Sequence, residues 1–246
     1  CDILSEKDKT YNATLLLGLD TDTQDTSGEV ISKADADSIM ELSEDKVFET
    51  IKSYIGDYDQ IPPMFSAIKI GGEKLYNLAR RGEVIERPAR HCRIIDITVT
   101  KMELPRVDLH VTCSKGTYIR TLCHDIGKDL GVGGCMEKLV RTKVERFSVE
   151  DSITLKQIEE FRDNNTLEDY ITPVDEMLGN YSKCMVSKGA EKLVYNGNIF
   201  TSGNTFLKMN HEDGQMVRVY TSEGEFIGLY KFNSEKQIYK PVKMFL

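Results

Sequence analysis

No stretch of this sequence is apolar enough to enter a bilayer as a helix. The longest uninterrupted aliphatic run is Leu15-Leu16-Leu17, and the first ten residues are mostly charged or polar. The expectation is a cytoplasmic protein with neither a membrane span nor a secretory signal. Paired cysteines are missing as well. The six cysteines stand at 1, 92, 113, 123, 135 and 184, with no two separated by two to four residues, so they suit neither a zinc knuckle nor a disulfide scaffold. Reduced thiols packed as small hydrophobes are expected instead. GxGxxG, Walker, HExxH and nucleophile-elbow motifs are also absent, which leaves hydride transfer, nucleotide hydrolysis and serine chemistry without a footing. The four histidines, His91, His110, His124 and His211, are scattered and read as surface or sheet residues. In DTDTQDTSGE, Asp20, Asp22 and Gln24 fit positions 1, 3 and 5 of an EF-hand, but Asp25 replaces the glycine at 6 and Ile31 the glutamate at 12. No metal site is expected there, and no internal repeat is visible.

What the chain does contain is apolar material for one sizeable core and a small appendage: 246 residues, 40% of hydrophobic types and 29% charged. The formal charge of −8, taken alone, argues against a nucleic-acid partner. The total conceals a segregation. Residues 58–93, 113–146 and 231–246 each carry +3, whereas 1–57 carries −9 and 147–230 carries −7. A phosphate backbone responds to the surface field within about 8 Å at physiological salt. Basic islands that converge in space therefore bind RNA despite an acidic total, and islands that stay apart are ordinary solvated faces.

KTYNATLLL, 9–17, alternates Tyr11, Ala13, Leu15 and Leu17 against Thr10, Asn12 and Thr14, the period of a strand, and ends at Gly18. Turn formers fill 20–29. Ile39, Leu42, Val47, Phe48, Ile51 and Ile55 then recur at roughly helical spacing, and Ser43 with Lys46 makes half a capping box. The span 60–90, with three prolines, three glycines and a helical patch at 75–79, reads as a long excursion from the core. ARHCRIIDITVTKMEL and VDLHVTC follow as paired strands. SKGTYIRTLCHDIGKDLG turns into a helix whose Ile119, Leu122, Cys123, Ile126 and Leu130 share a face, with Gly131 placed to stop it. A second helix is expected at 154–163. Beyond a break at 173–181, KLVYNG, NTFLKMN, MVRVYT, EFIGLYKF and QIYKPVKMF read as short strands, with a hairpin at TSEGE, 221–225. The fold class is therefore α+β: a mixed or antiparallel sheet with flanking helices over 1–178, and a small all-β domain over 179–246.

Arg120 is the most informative single residue. It falls in the first turn of the helix read from 119, where a cation opposes the helix dipole by roughly 0.3–1 kcal/mol. Such an arginine is either solvated and tolerates the cost or is held by a carboxylate or phosphate. Tyr11 and Tyr118 pose a similar choice. Each is either a core residue or, with its hydroxyl free in a cleft, a group that stacks on an extruded base or moves a proton.

Three motifs together resemble the bacterial tRNA pseudouridine synthase B family: KTYNATLLLGLDTDTQDTSGEV at 9–30, QIPPMFSAIKIGGEKLYNLARRGEVIERPAR at 60–90, and CSKGTYIRTLCHDIGKDLGVGG at 113–134, followed by LVRTKVERF at 139–147. The chain after about 180 is similar to the short PUA-like RNA-binding tail of that family. The resemblance implies a pseudouridine-synthase core and isomerisation of the T-loop uridine at tRNA position 55. It implies that Tyr11 stacks on the target base, that Arg120 pairs with the catalytic aspartate, and that Tyr118 and Leu139 shape the pocket. Asp25 falls on the family's acidic position near the flipped nucleotide. The 60–90 excursion corresponds to a thumb loop closing on the T-arm, with Lys9, Lys69, Lys74, Arg80 and Arg141 as RNA-facing cations. Two departures stand out. The family's nucleophilic aspartate lies in a G-x-L-D-P-x-A-T-G segment that these 246 residues do not contain, so the chain by itself is expected to be inactive. Cys135 stands where the family usually has histidine.

The implied reaction breaks a glycosidic carbon–nitrogen bond, rotates the uracil and rejoins it through carbon 5, without a metal or cofactor. Extruding the base costs a few kcal/mol, which stacking at about 1–3 kcal/mol per base offsets. The expected partner is the T-arm of tRNA, and the protein is expected to be a monomer that does not meet a membrane. A non-catalytic tRNA-binding or folding module of the same fold is the alternative. A guide-dependent pseudouridylase component would call for partner-protein surfaces and a fuller PUA domain.

Overall fold

The computed structural model describes residues 8–206 and 211–246. Contacts divide the chain into two compact units, Cys1–Ile153 and Thr154–Leu246. The first unit runs β1 (Lys9–Leu17), β2 (Leu19–Thr21), β3 (Val30–Lys33), α1 (Ala36–Met40), α2 (Glu44–Ser53) and β4 (Gly56–Gln60). There follow β5 (Lys69–Ile70), β6 (Glu73–Lys74), α3 (Leu75–Arg80), β7 (Arg90–Glu103), β8 (Arg106–Cys113), α4 (Ile119–Asp129), β9 (Gly134–Val144) and β10 (Phe147–Ser148). Six of the strands form one sheet in the order β10-β9-β1-β8-β7-β4, with antiparallel neighbours throughout.

The alternation read in KTYNATLLL is realised in β1. Ala13, Leu15 and Leu17 are buried, and they face a core that includes Ile94, Ile97, Val107, Leu109 and Val111 from β7 and β8. Helix α4 covers this face with the five apolar residues its spacing offered, Ile119, Leu122, Cys123, Ile126 and Leu130. Gly131 takes φ +79°, a left-handed conformation in which a side chain is strained, and the helix stops there. The helical spacing of 34–55 resolves into α1 and α2, the latter capped by Ser43 Oγ accepting from the Lys46 amide at 3.2 Å.

The excursion is more ordered than its prolines and glycines suggested. It carries the β5–β6 hairpin and α3, which close over a separate small cluster of Met64, Leu75 and Leu78. It springs from one rung of the β4–β7 ladder, the pair Gln60 and Arg90.

The second unit contains α5 (Leu155–Asp163), α6 (Val174–Met177), β11 (Ser182–Met185), α7 (Glu191–Tyr195), β12 (Phe200–Thr201), β13 (Met216–Tyr220), β14 (Phe226–Asn233) and β15 (Ile238–Met244). Its five-stranded sheet has the order β11-β13-β14-β15-β12, with β11 and β13 parallel and the other pairs antiparallel. The boundary expected near 178 lies inside this unit, where Arg218 donates to the Tyr181 and Asp175 carbonyls, both at 2.8 Å, tying α6 to the sheet. The all-β expectation for this region needs correction. KLVYNG is not a strand, because Ala190 and Val194, four residues apart, are both fully buried and the segment forms α7. A short apolar run suits either period, and packing decided for the helix. Of NTFLKMN, residues 207–210 lie outside the described residues, as does Cys1. The five described cysteines are buried free thiols.

The seat of α4 rests on glycine. A Cβ on Gly127 would overlap the Gly133 carbonyl group and the Gly134 amide, so the helix meets the start of β9 backbone to backbone. In an open helix Gly→Ala gains about 1 kcal/mol. Here Gly127→Ala is expected to reverse that sign and destabilise by roughly 1–3 kcal/mol through overpacking. Urea denaturation checks it, and a stabilised variant would show that the contact relaxes.

Candidate active site

The turn after β2 and the first turn of α4 meet through the Gln24–Thr121 and Asp25–Arg120 contacts. Asp25 sits in that turn and pairs through a backbone bridge with Met136 of β9, the Gln24 carbonyl accepting from the Met136 amide at 3.0 Å. Gln24 adopts φ +64°, and its Oε1 accepts from Thr121 Oγ1 at 2.6 Å. Thr121 is a buried residue of α4, so this bond fastens the acidic turn to the helix.

Arg120, the second residue of α4, points back across the gap. Its Nη1 lies 3.5 Å from Asp25 Oδ2, its Nη2 donates to the Phe65 carbonyl, and its guanidinium carbon lies 5.8 Å from the Tyr118 ring centroid. Both side chains of the ion pair are about one-fifth exposed. Of the two readings left open for Arg120, solvated or held by an anion, the structure has the second, with Asp25 as the neighbouring carboxylate.

Tyr11, Asp25, Tyr118, Arg120, Met136 and Leu139 line a cleft of about 230 Å³. Five of the residues singled out in the sequence are thus neighbours. Arg141 stands opposite Tyr11 in the β1–β9 register and hydrogen-bonds its side chain. Burial pushes the Tyr11 hydroxyl above the ordinary phenol value and outweighs the opposing pull of Arg141, so Tyr11 is a neutral, half-buried ring at physiological pH.

The other cations gather elsewhere. Lys9, at the start of β1 opposite Cys113 and Val144, is not among the residues lining the cleft. Lys69 lies exposed on β5. Lys74 and Arg80 bracket Tyr76 on the excursion, with Lys74 Nζ 5.4 Å and the Arg80 guanidinium carbon 5.4 Å from its ring centroid.

The acidic turn spends its carboxylates on its own chain. Asp22 accepts from the Glu29 amide at 2.8 Å and Asp20 from the Gly134 amide at 3.1 Å. Asp25 accepts from Thr23 Oγ1 at 2.8 Å, from the Ser27 amide at 3.0 Å and from Ser27 Oγ. Among the described residues no group of three His, Cys, Asp or Glu is placed to hold a metal, and no helix is long and apolar enough to cross a membrane.

Sequence reasoning missed Gln60 and Phe65, and weighed Gln24 only as an EF-hand position. Phe65 acts through its carbonyl, which no side-chain pattern reports. Ser27, two residues after Asp25, did carry a readable signal, the Asx-turn spacing.

The same arrangement of elements occurs in solved structures. Over the whole chain it matches a chain of an H/ACA RNP bound to a substrate RNA containing 2'-deoxyuridine, with TM-score 0.66, 21% identity and 68% of that chain covered. It likewise matches a chain of a Cbf5–Nop10–Gar1 complex, with TM-score 0.67, 24% identity and 68% covered. These likenesses define the class of fold, an α+β core carrying a second sheet unit. Sequence narrows it further. Residues 1–119 match the N-terminal domain of the TruB family of pseudouridylate synthases, and 120–179 match the C-terminal domain of tRNA pseudouridylate synthase B. The tRNA pseudouridine synthase B of Lachnoclostridium phytofermentans is 45% identical over 256 residues, covering 100% of this chain and 82% of that protein. That of Clostridium tetani is 42% identical over 243 residues, covering 99% and 80%. The chain belongs to the TruB family of pseudouridylate synthases.

The charge state of Asp25 gives a direct check on the site. Burial raises its carboxyl pKa, but the hydrogen bonds from Ser27 and Thr23 and the charge of Arg120 outweigh burial and hold it below the ordinary 3.8. A value lower in the folded than in the unfolded chain adds stability above the unfolded value, and that stability is lost as pH falls through the folded one. Carbon-13 NMR should place the Asp25 midpoint below 3.8, and Arg120→Met should move it upward. A midpoint that Arg120→Met leaves unmoved would mean that the ion pair does not form in solution.

Proposed function

We propose that this protein isomerises the T-loop uridine of tRNA to pseudouridine, and that the cleft between Tyr11 and Arg120 receives the extruded base. The observation that carries this reading is the Arg120 guanidinium. It is held in a first helical turn beside a half-buried tyrosine ring, with a carboxylate at 3.5 Å. In this reading Tyr11 stacks on the uracil, Tyr118 and Leu139 form the walls, and Asp25 borders the flipped nucleotide and anchors Arg120. The basic excursion, with Lys69, Lys74 and Arg80, closes on the T-arm as a thumb. Lys9 and Arg141 meet phosphates, and residues 179–246 act as a PUA-like RNA-binding element.

The chemistry is a balanced exchange. The C1′–N1 bond breaks, the uracil turns, C1′–C5 forms, C5 loses its proton and N1 gains one, with no net oxidation. A carboxylate nucleophile kept ionised by a guanidinium suits such a step. Asp25 spends Oδ1 on Thr23 and Ser27 and turns Oδ2 toward Arg120, an arrangement that suits an anchor for the guanidinium. The nucleophile in this proposal is the aspartate of a G-x-L-D-P segment, which the 246 residues lack, so the chain alone binds T-arm RNA without converting it.

Tritium release from 5-tritiated uridine in a T-arm hairpin tests the reading. The chain alone should release none, and the chain joined to an amino-terminal segment bearing the aspartate should turn over. In the joined protein Arg120→Ala should cost roughly a hundredfold or more in kcat. Turnover by the chain alone would return the nucleophile to these residues. RNA binding without turnover by the joined protein would favour a non-catalytic tRNA-folding module.

A further inference from the structure

Gln60 is 2% exposed and ends β4, on the rung from which the excursion leaves the sheet. Its amide is fully employed. Nε2 donates to the Tyr118 carbonyl at 3.0 Å, and Oε1 accepts from the Tyr118 amide at 2.8 Å. The Tyr58 hydroxyl, which donates to Asp125 of α4, is hydrogen-bonded to the Gln60 side chain as well. Gln60 thus satisfies both backbone groups of the residue that precedes α4, as a neighbouring strand would. Tyr118 is the N-cap of α4 and makes no side-chain cap bond; its carbonyl also accepts from the Leu122 amide at 3.1 Å, whereas its amide is met by Gln60. Two residues later in α4, Arg120 donates to Phe65, which lies five residues after Gln60 in the excursion. The excursion therefore grips the first turn of α4 at two successive points, Tyr118 and Arg120.

Resting on the uridine-isomerase reading of this cleft, we propose that Gln60 is a positioning residue for the reaction. Its amide fixes the Tyr118 backbone, and with it the ring that walls the cleft and the direction in which Arg120 leaves the helix. Gln60 does not touch the base. Its loss should therefore appear in the chemical step and leave the docking of the T-arm unchanged. A buried amide whose only duty was stability would lower the amount of folded enzyme and leave turnover per active site intact.

The decisive variant is Gln60→Glu in the full-length natural protein. A protonated carboxyl offers one donor and one acceptor and reproduces both bonds to Tyr118. An ionised one offers two acceptors and sets one against the Tyr118 carbonyl. Burial beside that carbonyl raises the pKa of the new carboxyl toward neutrality. The surrounding charged groups are Asp125 behind Tyr58 on α4, and Arg90, His91 and Lys115 in the adjoining cleft. Asp57 and Asp59 of β4 lie 3.7 and 3.3 Å from His91. Dividing by wild type at each pH cancels any pH dependence the two proteins share.

Tritium release should be measured from pH 5.5 to 8, with active sites counted by tRNA binding. The ratio of kcat, variant to wild type, is expected to fall roughly ten- to hundredfold as pH rises, the cost of one unpaired buried polar group, while KM for RNA stays constant. Gln60→Met, which keeps the volume and removes both bonds, should show the full loss at every pH. A flat kcat ratio for Gln60→Glu, or a loss carried by KM, overturns the proposal. An inactive wild type would instead overturn the reading on which it rests.

Discussion

A guanidinium at the positive end of a helix is the constraint around which this unit is arranged. Arg120 would destabilise α4 from where it stands, and solvent alone would not recover the loss in a cleft that leaves it one-fifth exposed. Three segments far apart in sequence answer the charge: the turn at Asp25, the carbonyl at Phe65 and the ring of Tyr118. Each is then held in turn. Asp25 is fixed by Thr23 and Ser27, and Tyr118 by Gln60, while the Gln24–Thr121 bond closes the circuit between turn and helix. The cleft is the space these contacts leave open.

That circuit depends on how closely α4 can approach the sheet. Gly127 and Gly134 allow the helix to touch the start of β9 without an intervening side chain, and a Cβ on Gly134 would lie 2.9 Å from the Cys123 carbonyl. Met136 follows two residues later, at the point where β9 pairs with the acidic turn. A helix lifted by one side chain would carry Arg120 away from Asp25 and widen the cleft between Leu139 and Tyr118. Packing in the core thus sets the spacing of charges at the surface.

The parts legible in the sequence were those with a long period or a misplaced charge. Strand β1 and helix α4 announced themselves by alternation and by the 119, 122, 123, 126 spacing, and Arg120 by its conflict with the helix dipole. The charge conflict left a choice between a solvated arginine and one held by an anion, and the family likeness pointed to an upstream aspartate. Spacing could not reveal that Asp25, 95 residues earlier in the chain, is the partner in this structure. Gln60 and Phe65 were illegible for another reason: both meet backbone groups, and backbone partners leave no residue type to read. In the second unit α7 was mistaken for a strand because five residues are too few to separate a period of 2 from one of 3.6.

The charge islands separate when their structural duties are considered. Among the described residues the outer side of β9 is met by β10 at Val144 and Lys143, by the Val149 amide at the Thr142 carbonyl and by the acidic turn at Met136, so the open stretch is 137–141. Lys138 and Arg141 stand exposed along it, and charges of this kind keep an open edge from pairing with another chain. Their presence is therefore explained before any ligand is invoked. The excursion has no comparable edge to guard. Its apolar contacts are met by Met64, Leu75 and Leu78, yet it places Lys74 and Arg80 around one tyrosine and leaves Lys69 exposed. Cations outnumber carboxylates on this element even though Arg81 bridges Glu73 and Glu83, and the excess costs some self-repulsion that the fold does not require. A polyanion would offset that cost, which fits the proposal that the excursion, more than the strand beside the cleft, faces the RNA.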